Sequence, residues 1–194
     1  MHLARAGVWF VCAVVLIVAG GMGSAQAQWQ ARPLADSPFV VTGPAFKDAR
    51  GMVRESMDAK SIRHWEAMFR RGRDSTLLVY VESLGHVAFD KEPARQRLER
   101  SGLDAQSFPN LKWGDGGKFT TGLGQWDYFH FTWSAQNALQ SCVGFITVVD
   151  RLAAGDKRGL HGAHCIPGTE RIAVPVIEDV LKGVGIKGFH VPAG

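Results

Sequence analysis

Hydrophobic and polar positions alternate most clearly in the middle of the chain. TLLVYVE (76–82) is a short apolar, β-branched and aromatic run bounded by Asp74-Ser75 and Ser83-Gly85, which predicts a strand. WDYFHFTW (126–133) sets Tyr128, His130 and Thr132 against Phe129, Phe131 and Trp133, the two-residue period of a second strand. SCVGFITVVD (141–150) is more continuously apolar, as a central strand is, and Gly159 to Ile166 is its expected partner. The period changes at both flanks. DKEPARQRLERSG (90–102) predicts a charged helix with Pro93 in its first turn and Gly102 at its end. RIAVPVIEDVLKGVGI (171–186) places Ile172, Val176, Val180 and Val184 four apart, the stripe of an amphipathic helix. Pro175 is tolerated only near a first turn, so regular helix is expected from about Val174.

Three stretches read less clearly. In DAKSIRHWEAMFRR (58–71), Ile62, Trp65 and Phe69 fit a helix capped by Asp58, whereas Trp65, Ala67 and Phe69 alternate as a strand turning at Gly72 would. The helix formers Ala, Met, Glu and Arg tilt the expectation to helix. SFPNLKWGDGGKFTTGLG (107–124) reads as a Gly-rich loop. Residues 28–55 read as an extended arm with a short edge strand at Phe39-Val40-Val41. Strands joined by irregular connections, with helices at the edges and no βαβ alternation, predict an α+β domain: a small antiparallel sheet with flanking helices.

The N-terminus changes the picture by supplying a compartment. Arg5, the uncharged apolar run Val8 to Ala19 and Ala25-Gln26-Ala27 follow the order of a secretory signal peptide cut before Gln28. The expected organisation is therefore a signal peptide at 1–27 and a single domain at 28–194, destined for the periplasm. The alternative is an uncleaved anchor, since Ala6 to Ala27 is long enough to span a bilayer. Glycines dilute its second half, which favours cleavage. Cys12 lies upstream of any lipidation position and implies no lipid anchor.

Composition narrows the partners. The net charge is +4, one unit of it from Arg5, and the densest basic run is Arg70-Arg71-Gly72-Arg73. That run reads as a solvated turn, and neither nucleic acid nor nucleotide is an expected partner. WGDGGKFTTGLG imitates a phosphate loop, but Phe119 follows Gly117-Lys118 where Ser or Thr is required, and the segment feeds a strand instead of a helix N-terminus.

HGAHC (161–165) is the densest candidate chemistry. Processing leaves two cysteines, Cys142 and Cys165, and two cysteines in an oxidising compartment pair. A disulfide is the favoured reading, with His161 and His164 as ordinary surface or strand-edge residues. The alternatives are a metal site from His161, His164 and Cys165 with His130, or two unpaired thiols. His-x-x-His-Cys matches no zinc spacing, and a disulfide would consume the thiolate a metal needs. No metal or other cofactor is expected. Ser83 with His86 is a chance-level hydrolase pair, and nothing in the sequence brings Asp127 and Asp150 together. Trp126 and Trp133 fall on opposite faces of one strand and form no common platform. The expectation is a small exported protein that binds or supports the cell envelope without catalysis, its partner an envelope component or another periplasmic protein. The alternatives are a periplasmic hydrolase of envelope material and a metal- or ligand-carrying periplasmic protein.

Overall fold

The computed structural model describes residues 30–57, 62–83, 92–103, 108, 110–135, 138–151, 157–189 and 192. The signal peptide expected at 1–27 and the Asp58 cap lie outside them. In chain order the elements are β1 (Gln30–Arg32), β2 (Phe39–Val41), β3 (Arg50–Met57), β4 (Ile62–Arg71), β5 (Asp74–Ser83), α1 (Ala94–Arg100), β6 (Lys112–Thr121), β7 (Gly124–Ala135), β8 (Ala138–Arg151), β9 (Lys157–Pro167), α2 (Val174–Lys182) and β10 (Val184–Ile186), with a short 3-10 turn at Leu34–Asp36. Among the described residues eight strands form one sheet in the order β1-β3-β4-β5-β9-β8-β7-β6, and β2 pairs with β10 in a separate ribbon. Every pairing is antiparallel. The protein is thus the expected antiparallel sheet with flanking helices, weighted heavily to β.

Two meanders, β3-β4-β5 and β6-β7-β8-β9, meet where β5 pairs with β9. Because side chains alternate along each strand, the central strands supply two apolar faces. On one face Leu78, Trp126, Val143, Phe145 and Leu160 are buried beneath Ile177, Val180 and Leu181 of α2 and Phe39 and Ile186 of the β2–β10 ribbon. On the other, Phe131, Cys142, Ile146, Ala163 and Cys165 are buried beneath Leu98 of α1 and Leu103 just after it. α2 starts at Val174 with Pro175 in its first turn, as the sequence requires. Burying its three apolar side chains contributes several kcal/mol, at roughly 1.5–3 kcal/mol each.

Four expectations need correction. Residues 62–71 are strand β4, not helix, because β3 and β5 pair along both sides and the Ala67/Phe69 period faces the α2-side core. Tertiary pairing overrides modest helix propensity. Residues 112–121, expected as loop, form edge strand β6, with an irregularity between Trp113 and Gly116. A Cβ at Gly117 would stand 2.5 Å from the Tyr128 hydroxyl, so glycine lets that ring lie across the edge strand. The C-terminal helix stops at Lys182, and Val184–Ile186, expected within it, run as β10 against β2. His161 and His164, expected at the surface, are 7% and 4% exposed on central strand β9.

Candidate functional site

HGAHC lies along β9, between β5 and β8, and strand alternation divides its side chains between the faces. Cys165 faces the α1 side and is bonded to Cys142, its direct cross-strand partner on β8, with an S–S distance of 2.06 Å. Both cysteines are packed in the cluster with Phe131 and Leu98. Gly162 gives β9 its close approach to the core: a Cβ there would stand 2.1 Å from the Leu77 carbonyl oxygen and 2.8 Å from the Phe145 ring.

The histidines go separate ways. His164 faces the α2 side, where its Nδ1 lies 2.9 Å from the Thr76 hydroxyl. Burial lowers its pKa, with Asp74 opposing and Arg71 reinforcing that shift. His161 faces the α1 side, and its ring bonds to the backbone of Ser101 just after α1. Burial, with His64 nearby, lowers its pKa to about 4. Among the described residues its Nε2 has no hydrogen-bond partner. His130 on β7 shares the α2 side with His164, but Val143 of β8 stands between them in the register. Two strand spacings amount to roughly 10 Å. Both His130 nitrogens are buried without a partner among the described residues. Burial and the Arg171 guanidinium lower its pKa, against the pull of Asp115. Arg171 in turn bonds Asp115 at 2.9 Å and holds its carboxyl below the usual range.

The four groups of the metal alternative therefore do not converge, and among the described residues no three His, Cys, Asp or Glu side chains are placed to hold a metal ion. Lys118 of the phosphate-loop mimic stands on the edge strand, 3.5 Å from Asp127. Trp126 and Trp133 sit on opposite faces, in different clusters. His86 and the Asp150 side chain lie outside the described residues. An open depression of about 540 Å³, lined by Val41, Thr42, Gly43, Pro44, Phe46 and Lys47, contains no acid–base pair.

One arrangement is invisible in the sequence. Arg32, Glu55, Arg63, Glu82 and Arg158, from β1, β3, β4, β5 and β9, alternate in sign across five adjacent strands. Arg32–Glu55 is 3.0 Å, Arg63–Glu55 3.4 Å, Arg63–Glu82 3.9 Å and Arg158–Glu82 2.7 Å. The spacing appears only once the register is known, since the members span 126 positions of the chain, from 32 to 158.

These features define the class: an antiparallel-sheet domain, packed on both faces and stapled between two central strands. No family model matches the chain, and no curated protein matches it in sequence. Among solved structures its chain path is similar to that of LpqN, described as involved in cell envelope biogenesis of Mycobacterium tuberculosis. The two are 10% identical, the match covers 82% of this chain and 91% of that one, and the TM-score is 0.45.

Proposed function

We propose that the protein is exported to the periplasm, with residues 1–27 removed, and acts there as a non-catalytic module that binds or supports the cell envelope. The observation that carries this reading is the disulfide between Cys142 and Cys165 in the middle of the sheet. Such bonds persist in oxidising compartments and are rare in a reducing cytosol. The signal-peptide order of Arg5, Val8 to Ala19 and Ala25-Gln26-Ala27 supports the same destination. The non-catalytic part of the reading is supported by the division of the β9 histidines between the two faces of the sheet. His164 meets Thr76, and His161 anchors the end of α1 through Ser101. The histidines on β9 brace packing on opposite faces instead of converging on one reacting atom. Envelope fractionation tests the reading together with crosslinking in intact cells. The expected result is protein released by osmotic shock and crosslinked to envelope components. Retention in the cytoplasm, or turnover of envelope polymer by the purified protein, would overturn it.

A further inference from the structure

The register gathers arginines that the sequence keeps apart. On the α1 side of the sheet, Arg50 of β3 stands directly opposite Arg70 of β4, and Arg73 lies in the turn that follows. The adjacent row is Met52, Met68 and Leu77, opposite one another on β3, β4 and β5. The same two rows continue to Cys165 and Ala163 on β9, which are buried beneath α1 and its following turn. On the β3–β4 side they are not buried: the three arginines are exposed, Met68 and Leu77 are half-buried, and Met52 is 66% exposed.

Like charges directly opposite on neighbouring strands are destabilising. The nearby carboxylates do not relieve them, since Glu66 is 2.7 Å from Arg54 and Asp74 is 3.6 Å from Arg71. Among the described residues Arg50, Arg70 and Arg73 have no acidic partner. We propose that this corner docks onto a bilayer surface bearing anionic lipid headgroups, the guanidiniums of Arg50 and Arg70 meeting phosphates, with Arg73 in the adjoining turn adding positive charge, and Met52 entering the headgroup layer. The complementarity is one of charge. The corner is a sheet surface, with cations around a flexible thioether side chain. Arginine matches phosphate oxygens bidentately, and unbranched methionine adapts to irregular apolar surroundings. The proposal deepens the envelope reading and rests on it for where the lipid is met.

The test is sedimentation of the native protein, purified from its host, with two kinds of vesicle. One is a mixture of phosphatidylglycerol and phosphatidylethanolamine, the other phosphatidylcholine alone. Binding is expected to the anionic vesicles only and to fall steeply with salt. At about 1 kcal/mol for each basic residue near such a surface, Arg70→Gln weakens binding about 5-fold and the Arg50→Gln/Arg70→Gln double variant about 30-fold. Met52→Ser should cause a several-fold loss at every salt concentration. Unchanged melting of these variants excludes unfolding as the cause. Equal binding to both vesicle types, or full binding by the double variant, overturns the proposal. So does capture by soluble acidic polymer without vesicle binding. Failure to bind vesicles by a protein that is still released by osmotic shock and crosslinked to envelope components sinks the lipid surface alone. A reduced cytoplasmic protein would sink the envelope reading instead.

Discussion

Replacing His161 by Gln should remove much of the protein's acid lability. His161 is buried, and that burial lowers its pKa from 6.5 to about 4, with His64 adding to the shift. In the folded state the ring therefore stays neutral until about pH 4, whereas in the unfolded chain it takes up a proton near pH 6.5. Between those values the unfolded state binds more protons, so stability is fully present above pH 6.5 and falls as the pH drops towards 4. The displacement from 6.5 to about 4 sets a ceiling of about 3.4 kcal/mol. Integrating the same linkage gives a loss of about 2 kcal/mol between pH 7 and 5 and about 3 kcal/mol by pH 4. His164 and His130 are shifted in the same direction and steepen the same slope. Glutamine can still donate to the Ser101 backbone but cannot titrate in this range. Urea unfolding at pH 7 and pH 5, on both proteins, isolates the contribution of His161 because the carboxylates contribute equally to each. The variant should lose about 2 kcal/mol less than the parent on acidification. An identical loss in both would refute the assignment of a buried, neutral His161.

Three other perturbations follow from the packing. Cys142→Ser and Cys165→Ser should each cost up to about 3.4 kcal/mol, the chain-entropy value for a separation of 23 residues, with the double variant little worse and a chelator without effect on the parent; denaturant midpoints measure all of these. Gly162→Ala should cost about 3 kcal/mol in the same assay, because the new methyl meets the Leu77 carbonyl, which the β5–β9 pairing holds in place. Glu82→Gln should cost about 1–2 kcal/mol and less at high salt, since it leaves Arg63 and Arg158 facing each other without the carboxylate between them.

Much of the sheet was legible because its strands alternate. β7 falls on its two-residue alternation, β5 and β8 on their apolar runs and β9 where a partner of β8 was expected, and the cysteine pairing followed from the expected compartment and parity. The misses have particular causes. β4 carries helix-forming residues, and only its pairing on both sides makes the Trp65-Ala67-Phe69 alternation decisive. The glycines of β6 look like loop until Tyr128 is seen against Gly117. The histidines of HGAHC look polar and exposed in isolation. They are buried because β9 is central and covered on both faces, a fact that depends on α1 and α2 together. The ion-pair ladder and the Arg50–Arg70 corner are products of register, which no local window of sequence contains.

The central claim, an exported domain closed by one internal disulfide, is tested most directly by intact mass spectrometry. The protein is taken from host cells without reductant and treated with an alkylating agent before and after reduction. The expected species is a chain beginning at Gln28, with no alkylatable thiol until reduction exposes Cys142 and Cys165. A chain that retains Met1, with those two thiols free in the unreduced sample, would contradict it.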